Sequence, residues 1–339
     1  MNIDFENVII QKKVIDNATH QKSKKLNIAY GVDRNFLFGS GISMTSVLVN
    51  NPDIDIHFYV VTDYVDDEYL ESVERLTQMY GTTVTVLVFD NEAFRKLPST
   101  KAWTYAMYYR YFAFEYLSRE LDSVLYLDAD IVCKNSLREL TDIHFAGEYA
   151  AVVNDIDRVR LKSGQRLGIP ELARDYFNSG VVFANLHVWR EKKLLSKAFE
   201  VLHERQKELL YFDQDILNIL FVGHVILLRR DFNCIYGVDQ ELKNKNEYRY
   251  QDIITESTVL IHYVGVTKPW HTWANYPVSK YFIEAYKKSA WAEKSLLNAN
   301  TAKLYKRKSR HERIQRKYIR SIFSHIMYIK NKLHGAKVH

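Results

Sequence analysis

Leu26–Val32 (LNIAYGV) is a short apolar run that stops at Asp33, the pattern of a buried strand. Behind it GSGISMTSVLVNN brings apolar residues back at helical spacing after a start of small residues, which predicts a helix. Ile54–Thr62 reads as a second strand, and Asp66–Tyr80 as an amphipathic helix opened by an acid and closed by Gly81. Thr83–Phe89 alternates with a period of two and predicts a third strand. Trp103–Leu117 reads as an aromatic-rich helix and Val124–Leu127 as a short strand, apolar throughout. Further strands are expected at Ala150–Val153, Gly180–Asn185, Val225–Leu228 and Val259–Tyr263, with helices over Trp189–Glu208 and Gln214–Phe221. Strand–helix alternation of this kind predicts an α/β domain: a mostly parallel sheet with helices on both faces. Residues 1–25 are polar and read as an N-terminal lead-in, residues 26–300 as one α/β domain and residues 301–339 as a tail.

In open α/β sheets ligands bind beyond the carboxyl ends of the strands, so the residues that follow each strand matter most. They are Asp33 and Asn35, then Asp128-Ala129-Asp130, then Asn154 and Asp155, and finally His262, Gly265 and Lys268. Carboxylates at i and i+2 of an extended segment point the same way and repel unless a cation lies between them. A hard divalent ion that keeps water and phosphate oxygens suits Asp128 and Asp130; a solvated turn would carry the same three letters. His262 is a third ligand candidate, or a hydrogen-bonded structural residue. Two Asp and one His suit Mn²⁺, and Mg²⁺ less comfortably, because imidazole is softer than Mg²⁺ prefers. Gly265 would let backbone approach a phosphate, and Lys268 would supply a point charge to it.

Charge is unevenly spread. From Lys303 to His339 there are twelve Lys and Arg against Glu312 alone, a balance of +11 that leaves the preceding chain at −5 within a total of +6. In the same segment Ile314, Tyr318, Ile322, Ile326, Ile329 and Leu333 recur every three or four residues. A basic amphipathic helix with that pattern suits an anionic membrane leaflet; packing on the domain and nucleic-acid binding compete, and no nucleic-acid partner is expected. Cys133 and Cys234 form no CxxC pair, which points to a reducing compartment, and no secretory signal opens the chain. No stretch approaches the ~20 apolar residues of a spanning helix.

Four motifs add a more specific signal. LYLDADIVCK, YFNSGVVFANLHVW, FDQDILN and HYVGVTKPWH, in that order, resemble glycosyltransferase family 8, which contains glycogenin and the bacterial lipopolysaccharide galactosyl- and glucosyltransferases. AYGVDRNFLFG, LPSTKAWTYAMYYR and WANYPVSKYF resemble its lipopolysaccharide-core branch in particular. The resemblance spans roughly residues 26–280 and implies a GT-A-type, Rossmann-like fold. It implies that Asp33 and Asn35 hold uridine and ribose, and that Asp128, Asp130 and His262 bind the metal on the UDP diphosphate. Gly265 and Lys268 would hold the phosphates and stabilise departing UDP, while Arg110 would contact the donor sugar. Asn178, Asp213 and Gln214 would surround the transferred hexose, with Asp155 near the donor and acceptor hydroxyls. Arg110 as a surface residue and Asp213 as a helix cap are the plainer alternatives, and Asp215 reads as structural. The chain departs from the family at Arg34, where a second acid is common, and no segment matches glycogenin's self-glucosylated tyrosine.

The resemblance further implies retaining transfer of glucose or galactose from UDP-glucose or UDP-galactose to the lipopolysaccharide outer core, with α-1,2 favoured over α-1,3. Divalent Mg²⁺ or Mn²⁺ would serve as cofactor, and the enzyme would be cytoplasmic, bound peripherally to the inner face of the membrane. Gln214, whose amide is a poor nucleophile, favours front-face attack; a carboxylate nucleophile, Asp155 or Asp213, is the alternative. A metal-dependent nucleotidyltransferase, or a non-catalytic binding protein on a degenerate transferase fold, are the competing functions.

Overall fold

The computed structural model describes residues 8–18, 22–90, 92, 105–243 and 249–335. Strands β1 (Ile9–Asp16) and β2 (Lys24–Val32) are followed by helix α1 (Leu37–Asn50), β3 (Ile54–Thr62), α2 (Asp67–Tyr80) and β4 (Thr83–Phe89). Helix α3 (Tyr109–Leu117) leads to β5 (Ser123–Leu127), β6 (Ile131–Cys133) and β7 (Ala150–Asn154). Two short helices, α4 (Asp157–Arg166) and α5 (Leu172–Asp175), precede β8 (Phe177–Asn185), and α6 (Leu186–Glu191), α7 (Leu194–Arg205) and α8 (Asp213–Phe221) come after it. Then come β9 (Val225–Leu227), β10 (Cys234–Ile235), β11 (Leu260–His262) and the helices α9 (Lys280–Lys287), α10 (Ala302–Ile314) and α11 (Tyr318–Gly335).

Eight strands form the main sheet in the order β1-β4-β3-β2-β5-β8-β7-β9. Its centre is parallel, as the alternation predicts, because β2 pairs in parallel with both β3 and β5. β5 shows how both faces are buried: Leu125 and Leu127 enter one hydrophobic core, Val124 and Tyr126 the other. β8 runs antiparallel to both β5 and β7. A second sheet of three strands, β10-β11-β6, stands beside the first, and the expected last strand at Val259–Tyr263 belongs to it.

Three expectations need correction. The lead-in contains β1, paired antiparallel with β4 from Gln11↔Val88 to Asp16↔Thr83, and residues 24–25 already belong to β2. Most of β1 is exposed, so it carries no apolar alternation to betray it. The helix expected over Trp189–Glu208 is two helices, broken where Lys193 adopts φ 52°. The tail is a helical hairpin whose first arm, α10, is docked on the domain: His311 is fully buried, and the Gln315 side chain donates to the Trp273 carbonyl at 2.8 Å. Of the LPSTKAWTYAMYYR motif and the helix expected from Trp103, the part up to residue 104 lies outside the described residues. No helix among the described residues is long and apolar enough to cross a membrane.

Candidate active site

The parallel strands turn in opposite directions from the β2–β5 pair, which makes its carboxyl end the switch point where α/β sheets place ligands. Asp33 follows β2 and Asp128 follows β5, so both stand at that edge. The antiparallel strands add to the same edge, because β8 starts where β5 ends, with Val181 opposite Leu127, and Asn154 at the end of β7 faces Phe177. Asn178 and Asp155 therefore join it. A turn closed by Ile131 N on the Asp128 carbonyl (3.1 Å) sends the chain into the second sheet. There His262 of β11 pairs with Ile131.

That register brings three of the expected residues into one cluster. Asp128, Asp130 and His262 offer ligand atoms within 4.8 Å of one another. His262 Nε2 lies 3.2 Å from Asp130 Oδ1 and 3.7 Å from Asp128 Oδ2. Nδ1 meets Asn233 Oδ1 at 3.1 Å, and Asn233 donates onward to Asn178 Oδ1 at 2.9 Å. With its proton on Nδ1, the imidazole turns the Nε2 lone pair toward the carboxylates, the orientation metal-binding histidines need. The donor set thus fits a divalent cation. Gly180 makes room for it: a Cβ there would sit 2.3 Å from His262 Cε1 and 2.9 Å from Asp128 Oδ2.

Lys268 bonds Asp130 Oδ2 and, at 3.0 Å, the Tyr263 carbonyl. Burial alone would raise the Asp130 carboxyl, but Lys268 and then His262 outweigh it and hold it well below the usual carboxylate range. Gly265 bends the loop that delivers Lys268, with φ 101°. The Lys268 amide donates to His271 Nδ1 at 3.0 Å; burial, reinforced by Lys268, pushes His271 down to about 3 and keeps it a neutral acceptor.

Arg110 is buried, not a surface residue. It bridges Asp128 Oδ1 (3.0 Å from Nη2) and Asp213 Oδ2 (3.0 Å from Nε), and caps the Ser179 carbonyl. Phe212, not Asp213, stands at the N-cap of α8, and it makes no side-chain cap bond. Burial pushes the Asp213 carboxyl up to about 6 despite Arg110. Asp215, wholly buried in the first turn of α8, ties down the chain before the helix: it accepts from the Leu210 and Tyr211 amides, a two-pronged Arg166 and the Tyr176 hydroxyl. Gln214 is tied at both ends: Oε1 accepts from Ser179 N (3.0 Å) and Asn178 Nδ2 (3.1 Å), and Nε2 donates to Asp155 Oδ2 (2.9 Å) and Tyr176 (3.1 Å). A continuous polar chain thus runs from Asp155 through Gln214, Asn178 and Asn233 to His262 and Asp130. Asp33 and Asn35 stand apart from it, joined to each other by the Asn35 amide on Asp33 Oδ1 (2.9 Å), with Asn35 exposed.

Sequence reasoning missed Asn233 and Ser179, whose roles depend on partners far away in the chain. It also missed a brace on the Lys268 loop. His311 of α10 meets Thr267 Oγ1 (3.1 Å) and Asp239 Oδ1 (3.0 Å) through Nε2, and the Tyr276 hydroxyl (2.8 Å) through Nδ1.

Comparison with known proteins decides the family. The family model described as "Glycosyl transferase family 8" matches residues 27–274, and its C-terminal companion matches residues 276–332. The chain belongs to glycosyl transferase family 8. Within it, the chain is 39% identical to a lipopolysaccharide 1,2-glucosyltransferase of Escherichia coli, over 97% of this chain and 98% of that protein. It is 40% identical to a lipopolysaccharide 1,3-galactosyltransferase of Salmonella typhimurium, again over 97% and 98%. Among solved structures, an active-site mutant of LgtC superposes with a TM-score of 0.67 at 25% identity, covering 78% of this chain and 96% of LgtC. The GT-A-type reading of the fold agrees with that likeness, and the protein is a glycosyltransferase.

Proposed function

We propose that this family 8 member transfers glucose or galactose from a UDP-hexose to a hexose of the lipopolysaccharide outer core, with retention and with a divalent metal. The carrying observation is the Asp128–Asp130–His262 cluster, with Lys268 beside it, at the sheet's switch point. A divalent ion bound there supplies Lewis-acid charge to the diphosphate. Lys268, freed from Asp130 to meet phosphate oxygens, stabilises the negative charge that grows as the glycosidic bond breaks. Arg110, Asp213, Asn178 and Gln214 line the place for the hexose, and Asp155 stands at its far side. Gln214 is held by four hydrogen bonds, so its amide positions the sugar and does not attack it. That favours front-face attack by the acceptor, whose proton passes to the leaving phosphate, over a carboxylate nucleophile at Asp155 or Asp213. Asp33 and Asn35 take the nucleoside. The linkage is α-1,2 or α-1,3, the positions named for the relatives.

The exposed stripe on α11 and the basic tail support a peripheral position at the inner face of the cytoplasmic membrane, where a lipid-anchored acceptor would be met. The test is UDP release from a panel of UDP-sugars, with and without truncated core acceptor, followed by the anomeric configuration of the product. Transfer from UDP-glucose or UDP-galactose that EDTA abolishes and Mn²⁺ or Mg²⁺ restores is the expected result. A β-linked product, or full turnover in EDTA, would sink the mechanism.

A further inference from the structure

A cavity of about 440 Å³ lies between α10 and the 3-10 turn at Val238–Leu242, beside the Lys268 loop. Four cations line it, Lys243, Arg307, Arg310 and Arg313, against one acid, Asp239. The arginines are spaced i, i+3 and i+6, which sets all three on one side of α10. Asp239 cannot neutralise them, because His311 holds its Oδ1 at 3.0 Å and only Arg307 comes within 3.8 Å of its Oδ2. Other tail lysines are engaged: Lys308 donates to Asn298 at 3.0 Å, and Lys306 lies 5.6 Å from the centre of the Tyr328 ring. Arg310, Arg313 and Lys243 make no ion pair among the described residues. Leu242 and Ile314 complete the walls.

Like charges gathered in a concavity repel one another, and a phosphate relieves that repulsion while matching the planar, two-pronged guanidinium better than any monovalent ion does. We infer that this cavity is a second anion site, taking a phosphate group presented beside the donor site. Its acid wall is bonded to the Lys268 loop: Asp239 Oδ2 accepts from Thr267 N at 3.4 Å and lies 3.6 Å from where a Gly265 Cβ would stand. A phosphate seated there stands beside the loop that carries Lys268, so its source is a phosphorylated acceptor saccharide or a phospholipid headgroup. The inference rests on the transferase reading above for the acceptor, not for the site.

Arg310→Ala/Arg313→Ala in the full chain separates the sources, since both side chains are exposed and outside the catalytic cluster. In one arm, calorimetry with UDP and Mn²⁺ present measures affinity for a deacylated core saccharide before and after phosphatase treatment. In the other, co-sedimentation with phosphatidylglycerol and phosphatidylcholine vesicles is compared. If the acceptor supplies the phosphate, phosphatase weakens wild-type binding by about tenfold or more, the scale of one lost charge-assisted contact, and the variant shows no such difference. If a headgroup supplies it, the variant loses a similar factor on phosphatidylglycerol and nothing on phosphatidylcholine. A variant that matches wild type in both arms overturns the site. Absence of UDP-hexose turnover would overturn the transferase reading instead, and neither arm depends on turnover.

Discussion

Gly180 is where chemistry and packing meet most tightly, because β8 comes so close to the imidazole of His262 that not even one methyl group fits between them. Gly180→Ala must push His262 out of line with Asp128 and Asp130. Displacing a ligand's orientation costs roughly 10- to 100-fold in metal affinity, so Mn²⁺ titration of activity should shift by that factor, and an unchanged titration would dismiss the cluster as the metal site. Lys268→Ala should lower kcat by about two orders of magnitude or more, the scale of one lost transition-state contact. An effect confined to KM would reduce Lys268 to a ground-state donor contact. Asp128, Asp130 and His262 were legible as candidates because they follow or end an apolar strand, whereas Lys268, six residues past β11, was legible only through the motif around it. Asn233, which orients His262 from a segment without periodicity, was not. Its partners lie 29 and 55 residues away, and only the two sheets bring them together.

Elements with local stop signals were legible almost to the residue. Helix α2 begins behind Asp66, whose carboxylate accepts the Tyr69 amide at 2.9 Å, and ends at Gly81 with φ 62°. The strand β1 and the break at Lys193 were not, since one is held by backbone pairing to β4 and the other by a single residue's left-handed turn. The hairpin was half legible: helical period and charge were plain, but the division of labour between its arms depends on contacts. α10 braces the Lys268 loop through His311, whereas α11 lies on α10 through small polar groups, Ser321 on Ser309 and Ser324 on Glu312 (2.7 Å). Truncation after Lys317 should therefore leave transfer to a soluble acceptor near wild type, while truncation before Ala302 should remove most of it. His311→Ala, which takes one partner each from Asp239, Thr267 and Tyr276, should lower kcat by about tenfold, the scale of ~1–3 kcal/mol for a buried hydrogen-bonding group lost. Wild-type kcat in that variant would show that the docking of α10 is structural only.

At the scale of the whole molecule, an acidic body ends in a basic hairpin, and the hairpin keeps its apolar stripe on the outside. Because serines make the α10–α11 contact, the apolar side chains are not consumed by packing: Ile322 of the stripe is 63% exposed, and Ile319 and Phe323, which widen the stripe beyond the set read from the sequence, are 86% and 64% exposed. Charge and stripe were visible in the sequence, but their fate was not, since periodicity cannot tell a face packed on protein from one left to another solvent. Full burial of such a side chain is worth about 1.5–3 kcal/mol, so half-burying three in an interface contributes about 3 kcal/mol, roughly a hundredfold in partitioning. The cations add attraction to an anionic leaflet that salt screens, whereas the apolar share persists. Ile319→Ser/Ile322→Ser/Phe323→Ser should accordingly release the protein from phosphatidylglycerol vesicles at physiological salt, and transfer to membrane-embedded acceptor should fall with it. Donor hydrolysis in solution should stay at the wild-type rate, because none of the three side chains supports the fold. Retention on vesicles equal to wild type would place the membrane contact elsewhere on the molecule, and loss of soluble activity would mean the stripe serves the domain after all.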